Sequence, residues 1–209
     1  MIGFEIWRGN IVDLKADALV NSANGSLYDR GSGTDLAIRM AAGDALEKDC
    51  QRLRATRLRE GLPEGEAVAT TAGDLPARWV IHTAAPIYSI SWDRSRTLAS
   101  CYHNCLRTAD ELGAKTVGFP PLAAGTRGWP IREAAAIAVR SIIATPTGVV
   151  QAILVALNGP IEAAFMDAFG GDLGQWERFA NDNWTVRPRE VPPDGRAAAA
   201  QGFDLGCWV

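Results

Sequence analysis

One stretch, residues 16–43, constrains the fold of this chain more than any other part of it. A short apolar run at 18–20 predicts a buried strand, and Asn21 and Asn24 stand at its end. A glycine-containing loop follows, and apolar residues at helical spacing then predict a helix. Exposed backbone N–H groups in such a loop, together with the positive end of the helix dipole, bind phosphate. The glycines of this loop are Gly25, Gly31 and Gly33.

An acidic residue stands where this helix is predicted to begin. Thr34 or Asp35 would lie at its start, where a side-chain oxygen can cap free backbone N–H groups. A carboxylate beside a bound phosphate is electrostatically costly for simple binding. Asp35 therefore indicates either a helix cap or a catalytic group.

A second unit of the same kind occurs later in the chain. Residues 116–119 predict a strand, and the glycine-containing segment 120–130 follows it. Pro130 suits the first turn of a helix, which the apolar pattern predicts over 131–144. Two such loops at the same end of a sheet can close on a diphosphate from opposite sides, which a single loop cannot do.

Strands and helices alternate along the rest of the chain with short connections. This pattern predicts a layered α/β/α domain whose ligand binds at the carboxyl ends of the strands. The other predicted strands are 4–8, 67–72, 79–83 and 151–157. The other predicted helices are 44–59, 98–112 with Gly113 as its C-cap, and 160–169.

Composition excludes several classes of function. Of 209 residues, 47% are hydrophobic, which suits one globular domain, and Lys plus Arg number 21 against 24 for Asp plus Glu. The net charge of −3 and the pI of about 5.4 argue against bulk binding of nucleic acid, but a nucleotide can be bound by backbone amides. No apolar run approaches the roughly 20 residues that a membrane helix needs, and no signal peptide is evident. We expect a cytoplasmic protein.

The cysteines and histidines predict core residues rather than a metal site. Cys101 and Cys105 share one face of a predicted helix without a second ligand pair, so we interpret them as buried thiols. His82 lies inside a predicted strand, and we interpret it as a hydrogen-bonded core residue. We therefore expect no metal and no cofactor.

Four segments, in order, resemble the macro domains, the family that binds ADP-ribose. They are RGNIVDLKADALVNSAN at 8–24, GSGTDLAIRMAAG at 31–43, VIHTAAP at 80–86 and GFPPLAAGTRGWP at 118–130. The resemblance extends over about residues 5–169 and implies a macro domain over 1–170. It implies a three-layer α/β/α sandwich with a mixed, mostly parallel central sheet.

The resemblance also implies a binding site. In macro domains the two loops grip the diphosphate of ADP-ribose, and by this likeness Asn24 would hydrogen-bond the distal ribose. The residues of this chain implied to contact ADP-ribose are Asn10, Ile11, Asn21, Asn24, Gly31, Ser32, Gly33, Thr34, Pro121, Ala123, Ala124, Gly125, Thr126, Arg127 and Asn158.

A catalytic role follows from the likeness to the MacroD-like hydrolases of this family. There, the acid after the first loop helps to position or activate a water that attacks the anomeric carbon of the distal ribose, and Asp35 matches that position. Asn24 and Asp35 would be the catalytic residues of an enzyme that removes ADP-ribose from acidic side chains. Deacetylation of O-acetyl-ADP-ribose at the same site is a close relative of this activity. The alternative is a module that binds ADP-ribose without turnover.

Three positions depart from the usual pattern of the family. Asn10 replaces an acid that accepts from the adenine amino group, although its carbonyl can still accept. The first loop is one residue longer and has Asp29 and Arg30 in place of glycines, so it narrows the cleft or brings Arg30 to a phosphate. Arg127 replaces a common aromatic, and can stack on a ring, contact phosphate or lie in solvent.

Residues 171–209 form a C-terminal extension that the resemblance does not reach. Prolines and an alanine run predict irregular structure. Its aromatic side chains are too apolar for a wholly solvated segment, so we expect them to dock on the domain or on a protein partner. They are Trp176, Phe179, Trp184, Phe203 and Trp208.

Overall fold

A seven-stranded sheet organises the part of the protein that the structure describes. The computed structural model describes residues 2–28 and 31–170 and the backbone of 184–187. Its strands are β1 (Gly3–Arg8), β2 (Ala18–Ala23), β3 (Ala67–Thr71), β4 (Trp79–Ala84), β5 (Thr116–Phe119), β6 (Gln151–Ala156) and β7 (Trp184–Arg187). Its helices are α1 (Thr34–Ala42), α2 (Asp44–Thr56), α3 (Ser95–Leu112), α4 (Ile131–Ala144) and α5 (Gly159–Gly170), with a 3-10 helix at Ile11–Asp13.

The strands lie in the order β3-β4-β2-β5-β6-β1-β7. Neighbouring strands run parallel, except that β3 is antiparallel to β4. The interior strand β2 pairs with β4 on one side and with β5 on the other, which sets Asn21 opposite His82 and Ala18 opposite Val117. The prediction of a mixed, mostly parallel sheet is confirmed.

Helices cover both faces of the sheet, because successive strand side chains point to opposite sides. Leu19 and Val80 pack in the core under α1 and α2. Their chain neighbours Val20 and Ile81 pack in the larger core under α3, α4 and α5. The predicted three-layer α/β/α architecture is therefore confirmed.

The predicted element bounds hold where a local signal ends the element. β5 and α4 have the predicted bounds, and Gly113 ends α3 in the left-handed conformation, with φ of 71°. The helix predicted over 44–59 instead ends at Thr56, because the N–H of Leu58 turns back to the carbonyl of Leu53. The strand predicted at 18–20 extends to Ala23 through its pairing with β4.

The described cysteines are buried free thiols, as the sequence indicated. Cys50, Cys101 and Cys105 have no exposed surface, and burial raises the pKa of Cys50 and Cys101 to about 11. Cys207 lies outside the described residues. Within residues 2–28 and 31–170, no group of three His, Cys, Asp or Glu side chains is placed to hold a metal ion. No described helix is long and apolar enough to cross a membrane.

Part of the C-terminal extension joins the sheet. Strand β7 pairs in parallel with β1, from Phe4 opposite Trp184 to Trp7 opposite Arg187. This pairing supports our proposal that the extension docks on the domain. The other aromatic residues of the extension, and the side chain of Trp184, lie outside the described residues.

Candidate ligand-binding cleft

Two loops leave the same edge of the sheet and face each other. The first loop, residues 24–33, connects β2 to α1, and the second loop, residues 120–130, connects β5 to α4. β2 and β5 are parallel neighbours, so both loops lie at the carboxyl ends of their strands. Neither following helix has a side-chain cap, since Gly33 and Pro130 are the N-cap residues. Both helices therefore present N–H groups towards the cleft between the loops.

A hydrogen bond joins the two loops across this cleft. Arg127 in the second loop donates from Nη2 to Oδ1 of Asn24 in the first, at 3.2 Å. A guanidinium group has only donors, so this contact fixes the orientation of the Asn24 amide. Oδ1 faces Arg127, and Nδ2 remains as the donor that Asn24 can offer to a ligand.

The second loop is anchored to the core on both sides of its tip. The hydroxyl of Tyr102, on α3, accepts from the N–H of Leu122 at 3.0 Å, and burial raises the pKa of Tyr102 above its usual range. Trp129 is buried and donates from its indole to the carbonyl of Pro86 at 2.9 Å. The backbone N–H of Trp129 donates to the carbonyl of Ala123, a residue with φ of 66°. The tip therefore has a fixed shape.

The residues predicted from the second loop differ in their exposure. Gly125 and Thr126 are exposed at the tip, whereas Pro121, Ala124 and Arg127 are half-buried and Ala123 is buried. Because Gly125 has no side chain and Thr126 is exposed, the backbone at the tip of the loop is accessible to a ligand. This is the property that a phosphate-binding loop requires.

Asp35 does not cap α1. The helix begins at Thr34, and Asp35 lies in its first turn with 2% of its surface exposed. Its Oδ2 accepts from the N–H of Gly31 at 2.8 Å, and its Oδ1 accepts from Nδ2 of Asn21 at 2.6 Å. Nε of Arg39 lies 3.1 and 3.2 Å from the two oxygens. Three N–H groups therefore occupy both oxygens of Asp35. Because the N-cap residue is Gly33 and no side chain caps the helix, the prediction of a helix cap is wrong.

Arg39 is the buried counter-ion of Asp35, and sequence reasoning missed it. Its side chain is fully buried and also donates to both oxygens of Glu47 at 3.1 Å and to the carbonyl of Leu27 at 3.2 Å. Burial alone would lower the pKa of Arg39, but the charges of Asp35 and Glu47 raise it above its usual value. The spacing of Asp35 and Arg39, four residues apart on one helix, is the signal that could have revealed the pair.

Asn21 supports Asp35 from behind rather than facing the cleft. It has no exposed surface, and Nδ2 also lies 3.1 Å from Nδ1 of His82. Nδ1 must accept from this amide, so Nε2 carries the proton and donates to Oγ1 of Thr70 at 2.8 Å. Burial lowers the pKa of His82 to about 4, so the ring is neutral near pH 7. The prediction that His82 is a hydrogen-bonded core residue is confirmed.

The remaining predicted residues lie along the same edge of the sheet. Asn10 follows β1, and its Oδ1 accepts from the N–H of Val12 at 3.4 Å, while Ile11 is buried. Asn158 follows β6, and its Oδ1 accepts from the N–H of Ile161 at 3.1 Å. The carbonyl oxygen of Asn10 therefore already has a backbone partner.

The start of α1 completes the cleft. Ser32 and Gly33 are exposed, and Thr34 and Gly31 are half-buried. A Cβ added to Gly31 would lie 2.6 Å from Oδ2 of Asp35, so this close approach requires glycine. The interpretations that concern Arg30 fall outside the described residues.

Comparisons with known proteins agree with this architecture. A family model for the macro domain matches residues 20–138. A macro domain-containing protein of Streptomyces coelicolor is 49% identical over 174 residues, 83% of this chain and 100% of the relative. An O-acetyl-ADP-ribose deacetylase of Klebsiella pneumoniae is 42% identical over 142 residues, 67% of this chain and 79% of that protein. A solved structure of a mutant Oceanobacillus iheyensis macrodomain with ADPR has a TM-score of 0.76 and 34% identity, covering 82% of this chain and 92% of that one.

Proposed function

The chain belongs to the macro domain family, and on this premise we propose that it binds ADP-ribose between its first and second loops and hydrolyses the ester that joins ADP-ribose to an aspartate or glutamate side chain. The observation that carries the proposal is the contact between Arg127 and Asn24. It sets a polar pair from two different loops at one end of a cleft flanked by two uncapped helix N-termini.

The phosphates bind to neutral donors in this proposal. The free N–H groups at the start of α1 and α4 carry the partial positive charge of their helix dipoles. The exposed backbone around Gly125 adds further donors. A protein with a net charge of −3 can therefore bind a diphosphate.

Hydrolysis takes place at the ribose end of the cleft. Nδ2 of Asn24 donates to a hydroxyl of the distal ribose and holds the anomeric carbon in place. A water oxygen bonds to that carbon, the bond to the ester oxygen breaks with its electron pair on the departing carboxylate, and the proton of the water passes to solvent. Asp35 contributes by fixing the N–H of Gly31, and through it the position of the first loop.

Two further candidates have specific support. Because Asn21, Gly31 and Arg39 already occupy both oxygens of Asp35, a module that binds ADP-ribose without turnover is the second candidate. Removal of the acetyl group from O-acetyl-ADP-ribose is the third, supported by the similarity to the O-acetyl-ADP-ribose deacetylase of Klebsiella pneumoniae.

The deciding experiment measures ADP-ribose released from a protein that carries it on Asp and Glu side chains. Wild type, Asn24→Ala and Asp35→Ala are compared, with O-acetyl-ADP-ribose as a parallel substrate. Calorimetry with ADP-ribose measures binding separately from turnover. Because Asp35→Ala leaves the buried Arg39 with one fewer counter-ion, the melting temperature of each variant is recorded.

We expect wild type to release ADP-ribose. We expect Asn24→Ala to fold fully and to release none. Binding of ADP-ribose by a wild-type protein that releases nothing from either substrate would make this a non-catalytic reader. Full turnover by a folded Asp35→Ala would remove Asp35 from the mechanism.

A further inference from the structure

A guanidinium group stands where the two loops meet. We propose that Arg127 is a catalytic residue that stabilises the carboxylate leaving group, and so makes the enzyme selective for esters of carboxylic acids. This inference rests on the proposed function, in which Asn24 faces the distal ribose. At this position macro domains commonly have an aromatic residue, whereas this chain has a cation.

The backbone that carries Arg127 is held in place. The N–H of Tyr88, in the loop after β4, donates to the carbonyl of Arg127 at 2.8 Å. The ring of Tyr88 packs edge-on against buried Trp129 with centroids 5.3 Å apart. Gly128, between Arg127 and Trp129, has φ of 75°, a conformation that favours glycine. Arg127 therefore extends from a rigid support, which a group that acts on a transition state needs.

The donors of Arg127 are not consumed by the folded chain. Of the five N–H donors of a guanidinium group, the described part of the chain binds one, through Oδ1 of Asn24. No carboxylate among the described residues forms an ion pair with Arg127. Arg39 is the contrast, since Asp35, Glu47 and the Leu27 carbonyl take up its donors. A half-buried cation with donors to spare is suited to an anion that arrives with the substrate.

The position of Arg127 indicates that it binds the leaving group rather than the phosphates. In the proposed function the uncapped starts of α1 and α4 serve the diphosphate, and Arg127 lies with Asn24 at the ribose end. The negative charge that develops there is on the ester oxygen, as its bond to the anomeric carbon breaks and the electron pair moves onto the carboxylate. A guanidinium group can bind both oxygens of that carboxylate at once.

The test separates charge from hydrogen bonding. Arg127→Gln keeps an N–H donor for Asn24 and removes the charge, whereas Arg127→Lys keeps the charge. Arg140→Gln is the matched control, because Arg140 is exposed on α4 and its Nε donates only to a carbonyl of its own helix. The substrates are two esters of ADP-ribose at the anomeric carbon, one of acetic acid and one of chloroacetic acid, a stronger acid. The kcat for each ester and the Kd for ADP-ribose are measured.

We expect Arg127→Gln to lower kcat for the acetate ester by about 10- to 100-fold, the effect of one charge-assisted hydrogen bond. The Kd for ADP-ribose stays within about 2-fold, Arg127→Lys recovers part of the kcat, and Arg140→Gln behaves as wild type. The loss is smaller for the chloroacetate ester, because a better leaving group needs less stabilisation. A purely structural role would not distinguish the two esters.

Three results would overturn the inference. They are an unchanged kcat in Arg127→Gln, an equal loss for both esters, or an effect confined to the Kd. If wild type binds ADP-ribose but hydrolyses neither ester, the proposed hydrolysis itself fails. If wild type is active and Arg127→Gln is equally active, only the role of Arg127 fails.

Discussion

Asn21 and Asp35 are joined by a hydrogen bond of 2.6 Å between Nδ2 and Oδ1, and both side chains are buried. The bond connects the interior strand β2 to the first turn of α1. Asp35 in turn holds the N–H of Gly31, so the position of the first loop depends on a fully buried strand residue. The cleft is thus shaped by polar contacts behind its surface.

Asn21→Asp is expected to destabilise the fold. The change removes both amide donors and sets a second carboxylate against Asp35, so we expect the free energy of unfolding to fall by about 3 kcal/mol. Urea unfolding at neutral pH measures it. Asn158→Asp is the matched control, because the new carboxylate can still cap the start of α5, and it stays within about 0.5 kcal/mol of wild type. Equal stability of both variants would contradict the importance of Asn21.

Arg39→Met is expected to destabilise the fold more than Arg52→Met, the matched change on the surface. It leaves Asp35 and Glu47 without their buried cation, a loss of about 3–5 kcal/mol. In Arg52→Met, Asp49 loses an exposed partner, and the free energy of unfolding stays within about 0.5 kcal/mol of wild type. Guanidinium chloride unfolding of both variants measures the difference. A small effect at Arg39 would show that Asp35 tolerates the loss of its buried cation.

Acid is expected to weaken the fold through His82. Its pKa is about 4 in the folded protein and about 6.5 when unfolded, so the unfolded state binds more protons between these values. The stabilisation is complete above pH 6.5 and is lost as the pH falls towards 4, by about 3 kcal/mol in all. A protonated Nδ1 would also face the Asn21 amide, donor against donor.

Thermal unfolding across pH 4 to 7 measures this dependence on His82. His82→Gln should show a flatter curve over this range. His103→Gln removes the other histidine, which is exposed, and should keep the wild-type slope. An unchanged slope in His82→Gln would assign the pH dependence to other groups.

Gly31→Ala is expected to weaken ligand binding. The added Cβ would come within 2.6 Å of Oδ2 of Asp35, so the hydrogen bond from the Gly31 N–H must break or the loop must shift. We expect affinity for ADP-ribose to fall about 10-fold, the effect of one hydrogen bond to a charged group. In Gly170→Ala the new Cβ meets no atom of the described residues within 4 Å, and calorimetry should give the wild-type Kd. Equal affinities would mean that the first loop adjusts freely.

The sequence predicts best where a local signal decides the structure. β5 and α4 match their predicted bounds, and Gly113 ends α3 in the left-handed conformation that its lack of a Cβ permits. His82 was predicted as a core residue because it lies in an apolar strand, and it is fully buried. In each case the residues that determine the outcome are neighbours in the chain.

The sequence by itself determined the order of strands and helices, the α/β/α class and the two glycine-containing loops, because apolar periodicity and turn residues act over a few positions. Tertiary structure decided what Asp35 and Arg127 contact. Asp35 meets Asn21 from β2, and Arg127 meets Asn24 across 103 positions of chain. A side chain's hydrogen-bond partners depend on which strands become neighbours in the sheet, and only the folded chain sets that order.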